Sequence, residues 1–351
     1  MKALVLSGGK GTRLRPLTFT LAKQLIPVAN KPVLGYVLDQ VAKTGIKEVG
    51  VVIAPETGEY VKKYVGDGSQ WGINVTYILQ EPLGLAHAVT VAKDFLGDDD
   101  FVMCLGDNLL ESDITDFINT FKRENLDALI FVKEVEDPTK YGVVIFDEKG
   151  NIVKLIEKPK VPPTNLALVG LYIFSNKIHH AIKRIRPSWR GELEITDTIQ
   201  EMINLGFRVK ATHLQGWWLD TGKKDDVLTA NAKILDKYGE RDIKGEIKNC
   251  KIEGRVKISP GSVLTDCTVR GPVLIGKDCR IENSFIGPYT SIGDGARIIN
   301  SSIEYCVILE NAQIQDVRGL EESLIGRNAK VTKTQRGNVR LHVGDYSEVE
   351  I

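Results

Sequence analysis

Ten consecutive residues, Ser7-Gly8-Gly9-Lys10-Gly11-Thr12-Arg13-Leu14-Arg15-Pro16, follow a short apolar run at 3–6. Glycines at 8, 9 and 11 let the chain turn tightly and expose successive backbone N–H groups. Such a turn after a strand can cradle phosphate oxygens. It is not a GxxxxGK(S/T) loop, because its basic residues fall elsewhere. Arg13 and Arg15 flank the turn, and Lys23 follows at the head of Lys23-Gln24-Leu25-Ile26-Pro27-Val28. Three cations near one amide-lined turn suit a triphosphate.

Other charged residues stand at marked places. Asp107, in Leu105-Gly106-Asp107-Asn108, closes the apolar run 101–105, which aims it at the same rim as the glycine turn. Asp220, in Trp217-Trp218-Leu219-Asp220-Thr221-Gly222, precedes a Thr-Gly pair that permits a sharp turn. Leu155-Ile156-Glu157-Lys158-Pro159 sets a carboxylate beside an ammonium just before a proline. On its own such an exposed pair is worth little.

The elements that must position these groups fall into two kinds. Residues 3–6, 48–53, 75–78, 101–105, 128–132 and 168–174 read as strands. Residues 33–44, 57–65, 85–95, 114–124 and 197–205 read as amphipathic helices between them. Strand–helix alternation predicts a Rossmann-like α/β domain with a mostly parallel sheet and helices on both faces. After about Asp236 the pattern changes. Ile258, Ile275, Ile292, Ile308 and Ile325 recur at intervals of 17, 17, 16 and 17. Val263, Ile281, Ile298, Ile314 and Val331 form a second ladder, and Ile252, Val269, Ile286, Ile303 and Leu320 a third. Three ladders offset by five or six residues predict a left-handed parallel β-helix of about five coils, each burying its aliphatics on the next. Glycines after the aliphatics, at 276, 287, 293 and 326, read as corners. The sequence therefore divides into residues 1–236 and residues 237–351.

Composition limits the function classes. With 46 basic and 46 acidic residues, the formal net charge is +0, so no electrostatic argument favours nucleic acid. No apolar stretch approaches the roughly 18 residues that would span a membrane. The N-terminal run leads into glycines without a small-residue cleavage site and reads as a strand, not a leader. The five cysteines (Cys104, Cys250, Cys267, Cys279, Cys306) form no CxxC pair, which points to reduced thiols and a cytoplasmic location.

The opening motif, Lys23 and Pro27-Val28-Ala29-Asn30-Lys31-Pro32 together resemble the signature of sugar nucleotidyltransferases, with a likeness that covers essentially the whole chain. Within them the sequence looks most like the long-form glucose-1-phosphate thymidylyltransferases, which carry a C-terminal β-helix. The resemblance implies that Gly8, Gly9, Gly11, Thr12, Arg13 and Lys23 bind the nucleotide triphosphate. In Gln80-Glu81-Pro82-Leu83-Gly84-Leu85-Ala86-His87-Ala88 it implies that Gln80 reads the pyrimidine edge and Gly84 lets the base approach the backbone. The family more often has glutamine at His87, which reads here as a tolerated helix-surface change. Asp107 and Asp220 are implied as Mg2+ ligands, Asp107 also contacting the nucleotide. Two carboxylates plus substrate phosphate suit that ion. Lys158 is implied to bind the sugar 1-phosphate and Glu157 a sugar hydroxyl. The resemblance further implies that Gly142, Tyr172 and Trp218 line the sugar pocket and that Arg190-Gly191-Glu192-Leu193-Glu194-Ile195-Thr196-Asp197 closes it.

The implied reaction joins dTTP to glucose 1-phosphate, giving dTDP-glucose and pyrophosphate. A phosphate monoester dianion is already a nucleophile, so positioning and charge neutralisation suffice, with Arg13, Lys23 and Lys158 as the catalytic residues. UTP or another hexose phosphate is an alternative, because thymine and uracil differ by one methyl group, worth about 1 kcal/mol. A bifunctional nucleotidyltransferase/acetyltransferase is a further alternative. Its disadvantage is that His342 is the sole histidine after Asp236. An inactive regulatory subunit would be expected to lack Arg13, Lys23, Asp107 or Asp220, and all four are present. The coils contain no matched catalytic residue, so they are expected to assemble a homo-oligomer.

Overall fold

The computed structural model describes residues 1–333 and 341–350; residues 334–340 and 351, which close the predicted C-terminal domain, lie outside the described residues. By packing, the chain forms two compact units that do not follow chain order. The first contains Met1–Lys10 and Leu34–Leu219, and the second Gly11–Val33 and Asp220–Ile351. A single cut at 236/237 is thus a division in sequence, whereas packing also assigns the segment after the glycine turn to the second unit.

The first unit is built on a nine-stranded sheet. Its strands are β1 (Lys2–Ser7), β2 (Glu48–Ile53), β3 (Asn74–Leu79), β4 (Phe101–Leu105), β6 (Ala128–Glu134), β7 (Gly142–Phe146), β8 (Ile152–Glu157), β9 (Leu166–Phe174) and β10 (Val209–His213); the short β5 (Asn108–Leu110) lies outside the sheet. The order is β8-β7-β9-β4-β1-β2-β3, with β6 and β10 continuing from β9. Neighbours among β4, β1, β2 and β3 run parallel, as expected. From β9 onward the sheet is mixed, because β9 runs antiparallel to β4, β6 and β7. β9 is buried almost throughout, and a strand covered on both faces shows an apolar run in either direction. The core packs Leu4 and Leu6 of β1 with Phe101, Met103, Ile130 and Phe174.

The helices follow the apolar spacing. α1 (Val33–Lys43) buries Val33, Leu34, Val37, Leu38 and Val41. α2 covers Gly58–Val65. The helix expected over 85–95 is divided into α3 (Leu85–Val91) and α4 (Lys93–Leu96) by Ala92, whose ψ of 0° leaves the helical range. α5 (Ile114–Arg123) begins at Asp113, whose carboxylate accepts from the Thr115 N–H at 2.8 Å. α6 (Ile178–Ile182) and α7 (Ile195–Asn204) complete this unit's α-helices among the described residues.

In the second unit α8 (Lys224–Tyr238) leads into three parallel sheets of seven, seven and five strands, the arrangement of a parallel β-helix. The first ladder stacks in register from Ile258 to Ile325 and continues to Ile243 and Val343, so there are more coils than five. The third ladder also stacks as predicted. The second requires one correction: Val263 pairs with Arg280, and the residue over Ile281 is Leu264. The odd interval of 18 in that ladder marks the slip.

The glycines at 276, 287, 293 and 326 are not where the backbone needs positive φ. A Cβ on Gly276 would lie 2.7 Å from the Asp294 nitrogen, and one on Gly326 2.3 Å from the Gly344 carbonyl carbon. They allow coils to stack closely. One row of left-handed corners consists of Asn249, Asp266, Asn283, Asn300 and Asp316, with φ between 44° and 58°. Asparagine and aspartate tolerate that region, and here their side chains also bond down the stack. Asn249 donates to Asp266 at 2.6 Å, Asn283 to Asn300 at 3.0 Å, and Asn300 to Asp316 at 2.9 Å.

Candidate functional site

In the first unit, the parallel strands bring their carboxyl ends to one rim. Gly8 and Gly9 follow β1. The Gly106 N–H donates to the Leu6 carbonyl at 2.9 Å, which ties the Gly106-Asp107 turn to the end of β1. The Gln80 N–H donates to Ile53 at 2.9 Å, which brings Gln80 to the end of β2. Crevices at strand carboxyl ends are where open α/β sheets bind ligands.

Gln80 is 8% exposed. Its Nε2 donates to the Gly84 carbonyl at 2.9 Å and lies 3.3 Å from His87 Nδ1. With both amide hydrogens directed away, Oε1 is the pole facing the glycine turn, 3.7 Å from where a Gly8 Cβ would lie. His87 is therefore not a free helix-surface residue, as its sequence position indicated; it sits half-buried against Gln80. Gly84 has φ 107°, and a Cβ there would meet the Leu193 oxygen at 2.3 Å. That side of Gly84 is filled by the Leu193 backbone, which bonds both Leu83 and Ala86, so a residue with a side chain does not fit there.

Asp107 is 5% exposed. It accepts from Asn108 Nδ2 at 3.2 Å. Asn108 Oδ1 in turn accepts from Trp218 Nε1 at 2.6 Å, and the Trp218 ring meets Tyr141 edge-on at 5.2 Å. Trp218 is thus held at both its polar and its apolar part. Carboxylate oxygen is the donor type that Mg2+ prefers, and Asp107 fits such an ion on that ground.

Glu157 ends β8 opposite Gly142. Its Oε2 accepts from the Thr196 hydroxyl at 3.2 Å, and its Oε1 lies 3.4 Å from Arg190 Nη1 and 3.6 Å from Lys158 Nζ. A Cβ on Gly142 would meet Thr196 at 2.5 Å and Glu157 Oε2 at 3.1 Å, so the bare glycine lets these groups meet. Arg190 also bonds Glu192 at 2.8 Å and Glu194 at 3.3 Å. Burial pushes the Glu194 carboxyl above its ordinary range, despite the Ser188 hydroxyl and Arg190 beside it. Lys158 has φ 42°, uncommon for a residue with a side chain, and its N–H donates to Tyr141 at 3.1 Å. Its side chain is 38% exposed.

Tyr172 needs correcting. It is 3% exposed, stacked on Phe174 at 5.8 Å inside the core, and burial together with Glu157 pushes its hydroxyl pKa up. It belongs to the core and does not line an open surface.

The second unit holds the other predicted residues. Gly11 has φ 63°, and a Cβ there would lie 2.8 Å from the Lys23 Cβ, so the glycine seats the lysine stem. Thr18 Oγ1 donates to the Gly11 carbonyl at 2.7 Å. Thr12 and Arg13 occupy the following turn, Thr12–Leu14. A Cβ on Gly222 would meet Arg13 Nη2 at 2.7 Å and Asp220 Oδ1 at 3.1 Å, so Arg13 and Asp220 come together over that glycine. The Arg15 guanidinium lies over the Phe19 ring at 4.9 Å. Arg190, Thr196 and His87 were not singled out as site residues by local spacing, because each meets its partner through long-range packing.

Comparison with known proteins agrees with these motifs. The family described as nucleotidyl transferase matches residues 2–237. A protein of Streptomyces antibioticus named glucose-1-phosphate thymidylyltransferase is 47% identical over 100% of this chain and 99% of its own length. The low-salt glycan biosynthesis nucleotidyltransferase Agl11 of Haloferax volcanii is 42% identical over the full length of both chains. Among solved structures, a Bacillus anthracis protein assigned as glucose-1-phosphate thymidylyltransferase, in complex with sucrose, superposes with a TM-score of 0.62. It is 32% identical and covers 66% of this chain and 94% of its own. No described helix is long and apolar enough to cross a membrane. Enzymes of this family generally use a divalent metal ion, and by profile and by full-length similarity the chain belongs to the nucleotidyl transferase family.

Proposed function

We propose that the protein transfers a deoxythymidylyl group from dTTP to glucose 1-phosphate, releasing pyrophosphate and forming dTDP-glucose. The observation that carries this reading is Lys158, held in a left-handed conformation beside Glu157 at a strand end, in a chain matched end to end by a glucose-1-phosphate thymidylyltransferase. A cation there suits the sugar phosphate, and the carboxylate suits a sugar hydroxyl.

Lys158 holds the sugar phosphate, whose dianion attacks the α-phosphorus in line. The bond from the α-phosphorus to the bridging oxygen breaks, and pyrophosphate leaves. Arg13, Lys23 and the amides of Gly8, Gly9, Gly11 and Thr12 take up its developing charge. Gln80 turns its oxygen toward a ring N–H of the base, which thymine and uracil offer and cytosine does not. Asp107 and Asp220 would hold Mg2+, which would supply positive charge to the nucleotide phosphates. No general base is required. We place the enzyme in the cytoplasm as a homo-oligomer assembled through the β-helix.

Steady-state rates with dTTP, UTP and dCTP against several hexose 1-phosphates test the reading. dTTP with glucose 1-phosphate is expected to give the highest kcat/KM, and dCTP almost none. A higher value for UTP, or for another hexose, would overturn the substrate assignment.

A further inference from the structure

The segment that carries Arg13 and Lys23 is gripped at two places by the second unit's own C-terminal part. The first grip is centred on Asn231 of α8, which is 0% exposed. Its Oδ1 accepts from the Ala29 N–H and from the Ser291 hydroxyl, both at 2.8 Å. Its Nδ2 donates to the Tyr289 carbonyl at 2.9 Å. Beside it, Asn30 Nδ2 donates to the Ile292 carbonyl at 2.6 Å. Ala29 and Asn30 are the turn of a hairpin that pairs Pro27 with Pro32 and Val28 with Lys31. Both have positive φ, 45° and 59°, as a two-residue hairpin turn demands. The second grip is in the last described coil. Thr20 Oγ1 donates to Asp345 at 2.7 Å, while the other oxygen of Asp345 accepts from the Arg327 N–H at 2.7 Å. A Cβ on Gly344 would lie 3.0 Å from Pro16.

Lys23 lies between these grips, and Gly11 seats its stem. Four buried or part-buried bonds converge on one asparagine pair, and a lost partner there is expensive because the remaining polar groups stay out of water. We propose that the β-helix is part of the phosphate-handling machinery, fixing Gly11–Val33 in place through Asn231 of α8 and Asn30 of the hairpin, which act as positioning residues between the coils and that segment. This goes beyond a role in assembly, and it rests on the reading of Arg13 and Lys23 as phosphate ligands.

The test uses the full-length chain and two calorimetric titrations, inorganic pyrophosphate with Mg2+ and glucose 1-phosphate. Asn30→Gly keeps the positive φ and removes only the bond to Ile292. Ser291→Ala and Asp345→Ala act from the β-helix side of each grip. Asn30→Gly and Ser291→Ala are each expected to weaken pyrophosphate binding about five- to tenfold, the size of one lost hydrogen bond, and Asp345→Ala at least as much, because it gives up the bonds from both Thr20 and Arg327. Glucose 1-phosphate binding should stay within about twofold. Thermal melting identifies any variant that has not folded, and with three variants spread over two grips the comparison survives the loss of one. Folded variants with unaltered pyrophosphate affinity, or with both affinities lowered alike, would overturn the proposal, as would a wild-type chain that binds no pyrophosphate. If the variants lose pyrophosphate affinity while the wild type fails to turn over dTTP, the positioning role stands and the substrate reading falls.

Discussion

A lysine at φ 42° carries a backbone penalty on the order of 1 kcal/mol, and that strain persists only when its surroundings hold it. At Lys158 the Tyr141 carbonyl and the Glu157 carboxylate do so. Lys158→Ala should therefore lower kcat and raise the KM for glucose 1-phosphate, on the order of a hundredfold in kcat/KM, with dTTP affinity nearly unchanged by calorimetry. A large loss of dTTP affinity would contradict the assignment. Asp107→Asn and Asp220→Asn each remove one anionic charge. The Mg2+ concentration for half-maximal rate should rise in both, and the double variant should respond far less to added Mg2+. If Asp220 only forms a turn, its variant would melt earlier with an unshifted Mg2+ dependence. The glycine turn, Asp107 and Lys158 were legible because each stands at a strand end marked by glycine or proline. Arg190 and Thr196 were legible only as a segment, since Glu157 lies 33 and 39 residues away from them in sequence. His87 was misjudged because helical spacing does not show a bond to Gln80.

At the scale of elements, the β-helix was readable because one aliphatic per face recurs at a nearly fixed interval, and the slip at Val263 arose where that interval changed. The antiparallel course of β9 was not readable, because two buried faces remove the alternation that reports direction. Elements in the first unit are also joined by charge. Asp127, just before β6, bonds the Arg208 N–H at 2.9 Å and the Lys177 ammonium at 2.9 Å, and its own carbonyl accepts from the Ser175 N–H. Burial pushes its carboxyl up, but Lys177 and Arg208 outweigh burial and hold it below the ordinary range. A lowered folded pKa means stabilisation that is full above the ordinary aspartate value, near 4, and fades as pH falls through the lowered one. Asp127→Asn should cost about 1–2 kcal/mol at pH 7, since Lys177 is half exposed and partly screened. Denaturant melts at pH 7 and pH 3 check this, and a gap that widens in acid would refute it.

For the whole molecule, the informative feature is that the chain enters the second unit at Gly11, returns to the first at Leu34, and crosses again at Asp220. The predicted triphosphate cations Arg13 and Lys23 therefore belong to the compact unit that holds the coils, and Gln80 and Lys158 to the unit built on the sheet. Two views of the coils make opposite predictions for a chain ending after Gly239. If the coils only assemble subunits, truncation lowers the oligomeric mass by light scattering while kinetic constants per subunit stay unchanged. If they position the phosphate segment, truncation removes Tyr289, Ser291, Ile292 and Asp345 at once. Asn231 keeps only Ala29 among its three partners, and Asn30 and Thr20 lose their ties to the coils. The buried face of α8, with Val227, Ala230, Ile234 and Leu235, would lose some of its cover as well. We expect a lower Tm, and a KM for dTTP raised beyond that of any single grip variant, because both grips are lost together. The KM for glucose 1-phosphate should change much less, since Glu157, Lys158, Arg190 and Thr196 all belong to the first unit. Measuring mass and both KM values on one preparation separates the views: a changed mass with an unmoved dTTP constant would leave the coils as an assembly device alone.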